Sequence, residues 1–196
     1  MNEVKVEKRS RGRPVEVTDV VFRTTLALLS QVPINSLSFE LIAGTAGVHK
    51  TTLYRRWGDM DTLIAGVLDH VGSKHVPMFD TGSLEGDVRQ LVRVYARYFR
   101  SELGKTINRL LIEHRFSENN ELNGWIDAHF EHQHDRFYQI ASRARQRKEI
   151  RSVDKFMFGI ELALGAMLME SLMMDKEISK TTENKLIRIS INAMTE

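Results

Sequence analysis

A chain of 196 residues with three prolines, no cysteine and a formal net charge of +2 is long enough to bury a full core, and it excludes disulfides, thiolate metal sites and cysteine nucleophiles. No stretch of about twenty apolar residues is free of charge and residues 1–14 are too polar for a signal peptide, so a soluble, cytoplasmic protein without membrane contact is expected. The small net charge conceals an asymmetry: residues 1–58 carry nine lysines and arginines against five carboxylates, +4, which leaves −2 for the rest.

Residues 1–17 are charged and aperiodic and read as a flexible basic arm. Within it Arg11 and Arg13 flank Gly12 ahead of Pro14, which blocks helix formation there. Two readings stand: an arm that enters the minor groove of DNA, which is favoured, or a tail whose arginines touch only the outside of a duplex. From Thr18, read as an N-cap, Val20, Val21, Thr24, Ala27 and Leu28 recur at helical spacing and predict a helix ending before Pro33. Ile34 and Leu37 are expected to plug the same small core.

Phe39 to Trp57, FELIAGTAGVHKTTLYRRW, reads as two short helices around a tight turn. Ser38 caps the first, and Gly47 ends it by entering the left-handed region. On the second, roughly 100° per residue puts Leu53 and Trp57 on one side and Thr51, Thr52 and Arg55 on the other. Tyr54 and Arg56 project from the flanks toward the phosphates bordering a major groove, and Lys50 suits either a base or a phosphate. Together with Ser38 these form the expected contact set for double-stranded DNA. The spacing alone also fits an ordinary helical corner with solvated charges. IAGTAGV followed by TTLYRRW, a short break and Leu63-Ile64 resembles the DNA-binding domain of TetR-family transcriptional regulators over about Thr18 to Val71. The resemblance implies that a preceding helix buttresses the pair and that a fourth helix leads into a regulatory domain. Three positions depart from that pattern: Trp57 for phenylalanine, His49 for a small capping residue, and Met60 for a lysine that would hold a phosphate at a helix start.

After Gly58, Asp59 is expected to cap a helix with the stripe Leu63, Ile64, Val67, Leu68 and Val71. Residues 72–83 read as a linker, which makes 18–71 one domain and 84–196 the other. Leu84 to about Arg100 presents Leu84, Val88, Leu91, Val92, Tyr95 and Phe99 on one face; Leu103 to Phe116 and Asn119 to Gln146 follow, the latter with Leu122, Ile126, Phe130, Phe137, Ile140 and Ala144 inward. These helices are expected to enclose a ligand cavity. Tyr95, Phe99, His114, Trp125, His129, Phe130, Phe137 and Met167 are its candidate lining for a small apolar or aromatic effector, against the plainer reading that each is core.

Phe156 to Met174 is apolar almost all round and needs cover on every side. A second copy is the expected cover, giving a homodimer through Gly159, Ala163, Ala166 and Met173 with Leu186 and Ile187 of a final helix, Thr182 to Met194. Dimerisation also suits the DNA site, since two recognition helices one turn apart read a palindrome. His132 and His134 point about 160° apart on a helix and cannot share an ion, so no metal or other cofactor is expected. No nucleophile elbow, phosphate loop or HExxH motif gives catalysis a foothold. The expectation is an all-α protein with an N-terminal three-helix helix-turn-helix domain and a C-terminal helical ligand-binding and dimerisation domain. Its function would be that of a repressor released from a palindromic operator by an effector. The rival readings are an activator or ligand-independent regulator of the same fold, or a helical enzyme or carrier.

Overall fold

The computed structural model describes residues 16–72, 78–115 and 120–195, and the regular structure among them is helical throughout. The N-terminal helices are α1 (Val17–Leu29), α2 (Phe39–Ala46), α3 (Lys50–Trp57) and α4 (Met60–Gly72), with a short 3-10 turn at Ile34–Ser36. Their shared core is Val21, Phe22, Phe39, Ile42, Ala43, Leu53, Leu63 and Val67. The residue ahead of α1 is Glu16, not Thr18, whose hydroxyl instead accepts a hydrogen bond from the Arg56 guanidinium at 2.6 Å.

The remaining helices are α5 (Leu84–Arg100), α6 (Glu102–Arg115), α7 (Asn120–Gln146), α8 (Val153–Leu168) and α9 (Lys180–Thr195). The stripe expected on α5 is buried against Phe137 and Ile140 of α7, Phe156, Ile160 and Met167 of α8, and Leu186 and Ile187 of α9. Among the described residues, two carboxylates lie inside this bundle. Asp87 accepts from the Thr81 amide and hydroxyl at 2.7 and 2.9 Å and pairs with Arg147 at 3.3 Å. Glu183 meets Lys180 at 2.9 Å and Arg100 at 3.3 Å. A buried charge persists only with such partners.

A third cluster fuses the two halves: Leu29, Ile34, Leu37, Ile64, Leu68 and Val71 pack with Ile107, Leu110, Leu111, Leu122 and Ile126. Ile34 and Leu37 therefore plug the junction and not the small N-terminal core. Arg109 of α6 donates to the Leu29 carbonyl at the C-terminal end of α1, which holds α6 against that turn.

α8 continues as a π-helical turn, Met169–Met173, and the 21 residues from Val153 to Met173 are apolar and long enough, by length and composition alone, to cross a bilayer. Phe156, Ile160, Ala163 and Met167 are instead spent on the core. The expected dimer stripe needs correction here. A Cβ on Gly159 would lie 2.8 Å from Met194 Cε and 3.0 Å from the Ser190 carbonyl oxygen, so Gly159 is where α9 of the same chain passes closest. The Ser190 hydroxyl donates to the Gly159 carbonyl at 2.8 Å, and Ala163, Leu186 and Ile187 are buried in the same contact. Ala166 is half-buried and Met173 is 62% exposed. Phe158, Leu162, Met169 and Met173 are exposed and recur at helical spacing along one outward side, and Ile189 of α9 is exposed as well.

Candidate DNA-facing surface and cavity

α2 begins where the Ser38 hydroxyl accepts the Leu41 amide at 3.1 Å, and it ends at Gly47 with φ 67° and ψ 32°. That left-handed turn lets the Val48 amide reach the Ala43 carbonyl at 3.0 Å and aims α3 outward. α3 is fixed from behind by Leu53, fully buried, and by Trp57, whose ring centroid lies 5.8 Å from that of Phe22. Its start carries no side-chain cap from His49. α4 starts where the Asp59 carboxylate accepts the Thr62 amide at 2.8 Å, and Met60 packs half-buried against the core.

Thr51 and Arg55 stand exposed on the outer face of α3, and among the described residues neither side chain has a bonding partner; Thr52 is half-buried beside them. Tyr54 lays its ring edge-on against Phe39, centroids 4.7 Å apart, and is half-exposed. Three expected DNA contacts are engaged within the chain: Ser38 as the α2 cap, and Lys50 and Arg56 through other side chains. Lys50 Nζ lies 2.7 Å from Glu40 Oε1, a contact that raises the ammonium and lowers the carboxyl from their ordinary pKa values, and Arg56 is held by Thr18. Both pairs are exposed, so phosphate can compete for these cations. Arg11 and Arg13 lie outside the described residues.

A cavity of about 1030 Å³ opens between α4, α5, α6 and α7, with α8 along one side. Tyr95, Phe99, Trp125, His129 and Phe130 line it, as expected, and Phe130 is half-exposed there and not packed inward. Phe137 and Met167 do not line it; both are consumed in the core, Phe137 edge-on to Tyr95 at 6.0 Å. The His114 side chain lies outside the described residues. The polar lining was missed in the sequence: Asp69, Asn108, Arg115, Gln133 and Arg136. One signal pointed to it, since Gln133 sits at the centre of the inward stripe of α7, where a polar residue demands a partner. That partner is Tyr95, whose phenol oxygen accepts from the Gln133 amide at 2.5 Å.

The cavity reaches the N-terminal helices through α4. Leu68, Asp69 and Val71 line it, while Leu63 and Val67 of the same helix pack on α1 and α3. Across it, the Trp125 indole donates to Asp69 at 2.5 Å and stacks on His129 at 5.0 Å. Burial, aided by the nearby Arg136 charge, lowers the His129 pKa, and burial pushes the Tyr95 phenol up to about 12. At neutral pH both present neutral hydrogen-bond donors. Among the described residues no three histidines or carboxylates converge as metal ligands do.

Residues 21–67 match the family model described as bacterial regulatory proteins, tetR family, and residues 78–189 match that described as tetracyclin repressor-like, C-terminal domain. The HTH-type transcriptional regulator AqdR of Rhodococcus erythropolis is 25% identical over 105 residues, 54% of this chain and 51% of that protein, so the chain spans about half the length of this curated relative. Salmonella enterica GusR superposes with a TM-score of 0.75 over 93% of this chain and 97% of that one at 11% identity. A TetR transcriptional regulator from Agrobacterium tumefaciens does so at 0.63 over 91% and 92%, with 18% identity.

Proposed function

The chain belongs to the TetR family of bacterial transcriptional regulators, whose members bind DNA as dimers and are typically ligand-responsive repressors, and from that premise we propose how its residues divide the work. Residues 18–71 form the DNA-reading unit, 84–196 the regulatory and dimerising unit, 72–83 the join, and 1–17 a basic arm. Thr51, Thr52 and Arg55 read base edges in a major groove, while Tyr54, with Lys50 and Arg56 once drawn from their internal partners, meets phosphates. The single observation that carries this reading is the outward ridge of Thr51 and Arg55 on a helix pinned by Leu53 and Trp57.

The outward face of Phe158, Leu162, Met169, Met173 and Ile189 is the dimer seam in this reading, because an apolar patch of that extent is otherwise left wet. An effector in the cavity favours one setting of α4, and the dimer fixes two α3 helices at the matching separation. Operator release then follows from differential affinity of the effector for the two settings. Such a protein works in the cytoplasm.

The test is a binding titration against DNA from the chain's own upstream region at two salt concentrations. A specific complex whose affinity falls with salt in proportion to the phosphates neutralised, and which exceeds binding to scrambled DNA by about a thousandfold, is expected. Equal affinity for both DNAs would overturn the reading.

A further inference from the structure

Two glycines of α8 stand in opposite situations. Gly159 is where α9 crosses, and a Cβ there would strike Met194. Gly165 is exposed, and a Cβ built on it would meet no described neighbour within 4 Å. A glycine inside a helix is less stable than alanine, and no described part of its own chain uses the space that its missing side chain leaves. Yet Gly165 belongs to the cavity wall, along with Leu164 and Leu168. At roughly 100° per residue it also belongs to the outward apolar side: Leu162 precedes it and Met169 follows it at helical spacing, with Phe158 and Met173 beyond. The cavity wall and the outward side thus share one position, and there the wall thins to bare backbone.

We propose that a second copy of this chain closes the cavity at Gly165, so that each chamber is completed by the partner's α8 and ligand occupancy and dimer formation reinforce each other. The assignment rests on the reading of the outward side as the dimer seam and of the cavity as the effector site, and adds that the two are one structure. A two-fold seam laid along Phe158, Leu162, Met169 and Met173 sets the partner's apolar side over Gly165, which falls midway along that stripe. The absent side chain then serves the partner's close approach. An apolar body in the chamber gains cover from the partner, and by reciprocity it tightens the dimer by the same factor. Covering about 55 Å² of apolar ligand surface corresponds to roughly tenfold in affinity.

The chain has no cysteine, so Gly165→Cys supplies a single thiol with room for its Cβ. In the full-length dimer it should react with a maleimide about tenfold more slowly than in the same variant carrying Leu162→Asp, which parts the subunits. Equal rates in two proteins that differ in size by light scattering overturn the closure and leave the seam reading standing. The neutral dye N-phenyl-1-naphthylamine tests the coupling in the unaltered protein. Saturating dye should slow subunit exchange between two labelled populations about tenfold, and Leu162→Asp should bind the dye about tenfold more weakly. Unchanged or quickened exchange overturns the assignment; dye seated on the outward side would quicken it, since the partner must displace that dye. If Leu162→Asp stays dimeric, the seam reading falls and this assignment with it. Slower exchange without any change in operator affinity supports the closure and overturns instead the reading of the cavity as effector site.

Discussion

Glu40, in the first turn of α2, holds Lys50, in the first turn of α3, with Nζ 2.7 Å from Oε1. The bridge spans the two starting ends of the helix pair, and it sets a carboxylate beside the surface offered to phosphate. Glu40→Gln removes that negative charge and leaves the ammonium to DNA. The expected outcome is an unchanged melting temperature, because both groups are exposed, with tighter operator binding and a steeper fall of affinity with salt. Fluorescence anisotropy across a salt series measures this.

Arg55 and Tyr54 should separate reading from holding. Arg55→Ala is expected to lower discrimination between operator variants by about tenfold while leaving the nonspecific component in place. Tyr54→Phe keeps the ring on Phe39 and removes only the hydroxyl, so it should weaken all sequences alike. A panel of single-base operator variants, titrated with both proteins, checks the contrast.

The two sides of α8 make opposite predictions. Leu162 is 42% exposed on the outward face, and Leu162→Asp should yield monomers by light scattering with operator affinity reduced more than tenfold, as bivalent engagement is lost. Ile160, two residues earlier and so on the opposite side of the helix, is fully buried and should behave otherwise. Ile160→Ala is expected to cost about 3 kcal/mol of stability, seen as a lower melting temperature, while the surviving folded protein remains dimeric.

Glu183 gives a pH dependence with a defined sign. Burial alone would raise its carboxyl, but the hydrogen bonds and charges of Lys180 and Arg100 outweigh burial and hold it below its ordinary value of 4.5. Its contribution is therefore complete above that ordinary value and is lost as pH falls through the depressed one. Glu183→Gln should lose about 2 kcal/mol at neutral pH. Its melting temperature should then fall less steeply than that of the unaltered protein on acidification below 4.5.

Local chemistry made the helix pair legible in the sequence. Ser38, Gly47 and Asp59 act within a few residues of themselves, and the outward Thr51 and Arg55 follow from helical period once Leu53 is inside. The internal ties of Lys50 and Arg56 were not legible, because their partners stand 10 and 38 residues away and proximity is set only when the helices pack. The same limit misassigned Gly159, Ala163, Leu186 and Ile187. An all-apolar helix announces that every side needs cover but not which side its own chain covers, and α9 took the small-residue stripe. In the cavity, aromatic residues marked the wall in five cases, yet Phe137 and Met167 fill space that any apolar side chain could fill.

The two tryptophans of the chain fall at opposite ends of the α4 connection: Trp57 at the end of α3 against Phe22, and Trp125 in the cavity wall beside Asp69. Replacing either by phenylalanine isolates the intrinsic emission of the other. The molecule thus carries its own pair of optical gauges. Occupancy of the chamber and displacement of the reading head can be timed separately, without labels, to learn which moves first.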